Sequence, residues 1–122
     1  MDTERVPGSQ LLKEVEEKMK IGFVCCHPFD DLDLIAGHSS IAFEIMDELD
    51  PDIVLCGCGG GGLLAAVSYG LKLLGSKAIV YGVEPESANT MFQSFEKGEP
   101  VTYTNSKSVA AGLGKNLNYY LF

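Results

Sequence analysis

The chain has 122 residues, 46% of them hydrophobic and 21% charged, and a formal net charge of -8 at pH 7. This size fits one globular domain with a modest core, and the acidic charge argues against a nucleic acid or an anionic membrane surface as partner, since both would repel the chain. The sequence has no run of about 18 apolar residues and no apolar signal-peptide core near Met1. We therefore expect a soluble, cytoplasmic protein.

The first half of the chain predicts two helices and one strand. Residues 1–8 are polar and contain proline and glycine, so we expect a loose leader before a helix that Ser9 caps. An apolar, β-prone run at 23–26 predicts a short strand, and turn-forming residues directly after it end that strand. Apolar residues at helical spacing predict a second helix over 40–49. The ordered domain therefore begins at Ser9.

The second half of the chain alternates strands with helices. Strands are predicted over 53–56 and 78–83, with a helix over 62–74 between them and another over 87–95. Strands that alternate with helices indicate a parallel sheet with right-handed crossovers. The predicted fold class is α/β with three layers, in which the segments 23–26, 53–56 and 78–83 form one parallel sheet.

Four consecutive glycines, Gly59 to Gly62, follow the second predicted strand and precede a predicted helix. Glycines leave backbone N–H groups uncovered, and the start of a helix points such groups outward from the positive end of the helix dipole. A strand, a glycine loop and a helix in this order are typical of an anion site, most often one for phosphate. Because glycines are unfavourable in chain entropy, a ligand that approaches the backbone closely explains them better than stability does.

The same loop satisfies the dinucleotide-binding fingerprint. Gly57, Gly59 and Gly62 have its spacing, and Glu84 follows about 20 residues later at the end of the next strand, where an acid would bind a ribose hydroxyl. A run of glycines satisfies that spacing almost automatically, and the fingerprint typically follows the first strand of its domain. The residues therefore indicate phosphate and leave the rest of the ligand open.

Cysteine and histidine side chains are the remaining candidates for chemistry. The four cysteines lack the usual Cys-x2-Cys spacing of zinc sites, and without a secretory signal we expect them to be free thiols. His27, Glu84 and the glycine loop all fall at the C-terminal ends of predicted parallel strands, where such sheets bind ligands. We expect these groups to share one edge of the sheet.

Five blocks of the sequence carry a family resemblance. They are HPFDD at 27–31, IAGHSS at 35–40, GGGGLL at 59–64, GVEP at 82–85 and SVAAGL at 108–113. In this order and spacing they resemble serine/threonine dehydratases, which are fold-type II pyridoxal phosphate enzymes, as serine racemase is. The resemblance covers roughly residues 9–114 and implies part of a tryptophan synthase β-like domain, followed by a divergent tail over 115–122.

The resemblance also implies roles for individual residues. Gly59 to Gly62 and the amide of Leu63 would hold the phosphate of pyridoxal 5'-phosphate, and Gly112 would lie near the cofactor ring. Glu84 matches one acid of a divalent-cation site, but Thr90 stands where the family has a further acid, which weakens the prediction of a cation. Serine dehydratases also carry the HSS triplet found at 38–40, which favours a dehydratase over a racemase.

The chief departure from the family is the absence of its Schiff-base lysine. None of the nine basic residues lies in the motif that carries it. We therefore expect a central piece of such an enzyme that is inactive alone, whereas the complete enzyme would convert L-serine or L-threonine to a 2-oxo acid and ammonia. The alternative, from another class, is a non-catalytic module that binds phosphate or a dinucleotide, or pairs with full-length subunits in a homo-oligomer. The choice between serine and threonine stays open.

Overall fold

The computed structural model describes residues 8–101 and 108–113, so the predicted tail over 115–122 and all of the predicted leader except Gly8 lie outside the described residues. The elements are the helices α1 Gly8–Lys20, α2 Leu32–His38, α3 Ser40–Glu48, α4 Gly62–Leu73 and α5 Thr90–Lys97, the strands β1 Ile53–Gly57 and β2 Ile79–Val83, and the 3-10 turns Glu86–Ala88 and Ala111–Leu113. Within these ranges no helix has the length and apolar character needed to cross a bilayer. The mixed helix and strand content confirms the predicted α/β class.

Strands β1 and β2 form a parallel pair, as predicted. Ile53 lies opposite Ile79 at one end of the ladder and Gly57 lies opposite Val83 at the other. Parallel neighbours require a long crossover connection, which α4 supplies between the two strands. The C-terminal ends of both strands, and the glycine loop that follows β1, therefore lie at the same edge of the sheet.

The predicted strand at 23–26 is not formed, and this prediction was wrong. Among the described residues the sheet contains β1 and β2 alone. Phe23 is 61% exposed and Val24 is 88% exposed, and the amide of Phe23 donates to the carbonyl of Lys18 at the end of α1. A β-prone run becomes a strand only where a neighbouring strand supplies hydrogen bonds and a packing surface. Among the described residues no strand lies beside this run.

A helix that the sequence did not predict, α2, follows the turn at 27–31. Asp31 is its N-cap, and the carboxylate Oδ1 of Asp31 accepts a hydrogen bond of 3.0 Å from the amide of Leu34. An aspartate that caps a first turn is a sequence signal for a helix start, so this helix was predictable from Asp31. The capped turn matters for the site, because it fixes where the preceding residues lie.

The core lies between one face of the sheet and the helices α3 and α4. Its buried centre is formed by Ala42, Val67 and Leu71, with Ile45, Met46, Val54, Ala78 and Val80 packed around it. The side chains that alternate to the other face of the sheet remain exposed, including Leu55 at 71% and Tyr81 at 51%. The described residues therefore form two of the three predicted layers, a helical layer and the sheet.

Gly70 lets α4 approach α3 closely, which yields a first prediction. A Cβ at Gly70 would lie 2.6 Å from the Cβ of Ala42 and 3.2 Å from the carbonyl oxygen of Ser39. We expect Gly70→Ala to lower the free energy of unfolding by about 1–3 kcal/mol through overpacking, although alanine favours an isolated helix by about 1 kcal/mol. Urea unfolding monitored by circular dichroism measures the change.

Gly37 provides the matched control, because it also lies within a helix but has no atom within 4 Å of an added Cβ. Gly37→Ala should raise the free energy of unfolding by about 0.5–1 kcal/mol, the ordinary preference of a helix for alanine over glycine. Equal stabilisation by both substitutions would contradict the close packing of α3 against α4.

Candidate functional site

A cleft of about 330 Å³ opens at the edge of the sheet where β1 ends. Its lining comes from three separate parts of the chain and consists of Pro28, Phe29, Gly57, Gly59, Gly60, Gly61, Gly62, Leu63, Gly112 and Leu113. Pockets for small molecules and cofactors commonly measure roughly 300–1,000 Å³. The structure thus brings together the residues predicted to hold a ligand, which are Gly59 to Gly62, Leu63 and Gly112.

The glycine loop turns directly into α4 at the floor of this cleft. Gly61 has φ of 83°, in the left-handed region that favours glycine, and α4 begins at the next residue. The amide of Ala65 donates to the carbonyl of Gly61 at 2.8 Å and closes the first helical turn. The amides that precede it in the helix, including that of Leu63, have no acceptor within the helix itself. They form the positive end of the helix dipole, and such an end can hold an anion.

Close packing within the chain also explains why the loop consists of glycines. A Cβ at Gly62 would lie 2.8 Å from the Cα of Phe29, and one at Gly60 would overlap the side chain of Phe29. A Cβ at Gly59 would overlap the carbonyl oxygen of Gly112. The interpretation that a ligand's close approach explains the glycines is therefore incomplete, since the chain's own backbone and side chains already require three of them.

Two cleft residues, Phe29 and Leu113, are apolar and were not predicted as site residues. The Cδ2 atom of Leu113 lies 3.6 Å from the position of a Cβ at Gly57, so this side chain rests against the end of β1. Both residues fall inside the sequence blocks at 27–31 and 108–113. Membership of those blocks was the one sequence signal for them, because their contact with the glycine loop joins residues far apart in the chain.

His27 supports the turn that carries Phe29. Its Nδ1 atom accepts a hydrogen bond of 3.0 Å from the amide of Asp30, and its ring meets the ring of Phe29 edge to face at a centroid distance of 4.4 Å. His27 does not line the cleft itself. His27 was expected to lie beside the glycine loop at this edge of the sheet. Its neighbours Pro28 and Phe29 line the cleft instead.

Glu84 turns its carboxylate toward the start of α5. Its Oε1 and Oε2 atoms accept hydrogen bonds of 2.8 Å each from the amides of Met91 and Phe92. A carboxylate in this position satisfies two amides that lack helical partners and interacts favourably with the helix dipole. Over 8–101 and 108–113, no three His, Cys, Asp or Glu side chains gather where they could hold a metal. The divalent-cation site at Glu84 stays a prediction.

The buried cysteines beside this cap are unsuited to nucleophilic chemistry at neutral pH. Cys58 is 1% exposed, and its burial, the carboxylate of Glu84 and the thiol of Cys56 raise the pKa of Cys58 to about 11. Burial also raises the pKa of Cys56. Only the thiolate attacks an electrophile or binds a metal, so these thiols stay in their protonated form. All four cysteines are free, as expected from the sequence.

Comparison with known sequences finds relatives that are named as dehydratases and ammonia-lyases. The family described as "Pyridoxal-phosphate dependent enzyme" matches residues 3–120. Phenylserine dehydratase of Ralstonia pickettii is 40% identical over 88 residues, which are 71% of this chain and 27% of that protein. L-threonine ammonia-lyase of Thermotoga maritima is 36% identical over 95 residues, which are 77% of this chain and 24% of that protein. The chain thus spans about a quarter of the length of these relatives.

Solved structures that superpose on this chain include a threonine deaminase and a serine racemase. The processed form of threonine deaminase isoform 2 from Solanum lycopersicum superposes with a TM-score of 0.77 at 35% identity, over 82% of this chain and 29% of that one. Maize serine racemase superposes with a TM-score of 0.76 at 26% identity, over 87% of this chain and 33% of that one. The described fold is therefore similar to part of each of these enzymes.

Proposed function

Because the chain belongs to the pyridoxal-phosphate dependent enzyme family, we propose that its glycine loop binds the phosphate of pyridoxal 5'-phosphate. The observation that carries this proposal is the start of α4, whose first amides open on a cleft lined by glycines. In this proposal Gly59 to Gly62 and the amide of Leu63 hold the phosphate, and Gly112 lies near the cofactor ring. The net charge of -8 does not oppose such a site, since backbone dipoles act locally.

The residues that line the cleft support a phosphate ester that carries a flat ring. Its floor offers backbone amides, whereas its walls include the apolar side chains of Phe29, Leu63 and Leu113. Apolar walls orient a ring and exclude water from it, and the amides hold the charged end of the ligand. When bound, the cofactor supplies an electron sink for amino-acid chemistry, and the protein supplies binding and orientation.

For the complete enzyme we propose the dehydratase reaction of L-serine or L-threonine, with a 2-oxo acid and ammonia as products. The names of the bacterial relatives, a phenylserine dehydratase and an L-threonine ammonia-lyase, support this reaction class. Similarity to maize serine racemase keeps racemisation as the alternative. The chain spans about a quarter of the length of such relatives. We therefore assign to this chain the binding of the cofactor's phosphate.

A dinucleotide is the less favoured ligand of this cleft. The fingerprint needs an acid free to bind a ribose hydroxyl, but both carboxylate oxygens of Glu84 accept hydrogen bonds from α5. This cap therefore disfavours a dinucleotide.

We propose that residues 9–114 form the phosphate-binding domain, that the protein is cytoplasmic, and that the full-length enzyme forms a homo-oligomer. A divalent cation beside Glu84 would require its carboxylate to leave the amides of Met91 and Phe92. The capped arrangement therefore disfavours such a cation.

A titration tests the proposed ligand. We expect addition of pyridoxal 5'-phosphate or inorganic phosphate to the isotopically labelled chain to shift the amide resonances of Gly60 to Leu63 first, because those N–H groups would gain charged acceptors. Pyridoxal, which lacks the phosphate, should leave them nearly unchanged at the same concentration. The proposal fails if the largest shifts fall on Cys25 and His27 instead.

A further inference from the structure

The side chain of Phe29 packs directly against the glycine loop. An added Cβ at Gly60 would overlap the Cβ and the ring of Phe29, while an added Cβ at Gly62 would meet the backbone of Phe29, with its Cα at 2.8 Å and its carbonyl oxygen at 2.9 Å. One residue from a distant turn therefore contacts two of the four loop glycines. These contacts make the HPF turn and the glycine loop one packed unit.

The turn that carries Phe29 is itself held in place. The amide of Asp30 donates to Nδ1 of His27 at 3.0 Å, and the His27 ring meets the Phe29 ring edge to face. Directly afterwards, the carboxylate of Asp31 caps α2. One hydrogen bond of 3.0 Å spans Phe29 and another of 3.0 Å follows it directly. These contacts restrict the backbone of the turn, so Phe29 offers the loop a fixed surface.

We propose that Phe29 is a positioning residue, which holds the glycine loop in the conformation that presents the first amides of α4 to a phosphate group. This inference rests on the proposed function of the loop. Glycines lose more backbone freedom on ordering than other residues do, and a run of four has no side chains with which to restrict itself. An external contact is therefore required to order the loop before the ligand arrives. Pre-ordering of this kind increases affinity because binding no longer has to restrict the loop.

The two loop contacts differ in a way that an experiment can use. Gly60 faces the side chain of Phe29, whereas Gly62 faces its backbone. Neither glycine has a positive φ, so alanine at either position meets a steric obstacle rather than backbone strain. Removing the Phe29 side chain should therefore relieve an alanine at Gly60 and leave the obstacle at Gly62 unchanged.

The test is a double-mutant cycle on the full chain, with the dissociation constant of inorganic phosphate and of pyridoxal 5'-phosphate as the readout. Phe29→Gly should weaken phosphate binding about tenfold, and Phe29→Leu should retain affinity within about threefold because a bulky side chain remains. Gly60→Ala should weaken binding about tenfold in the unchanged chain but less than about twofold in the Phe29→Gly background. Gly62→Ala, the matched control, should weaken binding by the same factor in both backgrounds.

Urea unfolding shows whether each variant is folded under the conditions of the binding measurement. Affinities are compared only among folded variants, so a loss of affinity reports a change in the loop and not unfolding. The inference is overturned if Phe29→Gly binds phosphate as well as the unchanged chain, or if Gly60→Ala is equally damaging in both backgrounds. If the unchanged chain does not bind phosphate at this loop, the proposed function fails first. If it binds but the cycle is additive, the function stands and the role of Phe29 is refuted.

Discussion

A chain carrying Gly61→Asp should bind inorganic phosphate or pyridoxal 5'-phosphate at least about 100-fold more weakly than the unchanged chain. Gly61 is the last residue before α4 and lines the cleft. An aspartate there places a carboxylate where the proposed phosphate would lie. Two like charges 4 Å apart at an effective dielectric constant of 20 repel each other by about 4 kcal/mol, and each 1.4 kcal/mol changes a dissociation constant about tenfold. Isothermal titration calorimetry measures the loss.

Gly75→Asp is the matched control for this charge and for the backbone conformation. Gly75 has φ of 74°, close to the 83° of Gly61, and has no atom within 4 Å of an added Cβ. It lies beyond the opposite end of α4, about 20 Å along the helix from Gly61 at 1.5 Å per residue. Both variants should therefore lose similar stability in urea, while Gly75→Asp keeps its phosphate affinity. Equal phosphate affinities in the two variants would show that the glycine loop does not bind phosphate.

The chain by itself is expected to release no more 2-oxo acid from L-serine or L-threonine than free pyridoxal 5'-phosphate does. The reaction needs an amine that reacts with the cofactor next to the phosphate site, and we propose that no basic residue of this chain serves as the family's Schiff-base lysine. Aldehyde capture through surface lysines should be weak, because their amines are mostly protonated near neutral pH.

The described lysines near the sheet are poorly placed for this chemistry. Lys72 lies ten residues after Gly62 on α4, which corresponds to about 15 Å along the helix axis. Lys77 precedes β2, so it lies at the opposite end of a strand about 17 Å long from the edge where the cleft opens. Neither amine can approach the cleft without loss of the β1-α4-β2 unit.

A coupled assay for 2-oxo acid on the purified chain measures this outcome, with the Gly60→Asp, Gly61→Asp double variant as its control. Both chains should match the free cofactor. Turnover clearly above that background in the unchanged chain, abolished in the double variant, would show that a lysine of this chain is catalytic. It would also contradict the proposal that this chain contributes only the binding of the cofactor's phosphate.

Local patterns in the sequence were sufficient to predict β1, α3, α4, β2 and the parallel pairing of the two strands. Each of these elements carries its own apolar periodicity, and the glycines from Gly59 to Gly62 mark the junction between β1 and α4. A strand, a glycine loop and a helix allow few topologies, since a parallel connection must cross over the sheet. The sequence by itself therefore determined the place of the cleft at the end of β1.

Tertiary structure decided the state of the run at 23–26 and the surroundings of the candidate site. The run at 23–26 has strand-like residues but no strand beside it among the described residues, so its propensity is not realised. The carboxylate of Glu84 lies at the end of a strand, as predicted, yet it caps α5. The contact of Phe29 with Gly60 joins residues far apart in the chain. Periodicity reports what a segment can form, whereas ladder partners, caps and close approaches exist only once distant segments meet.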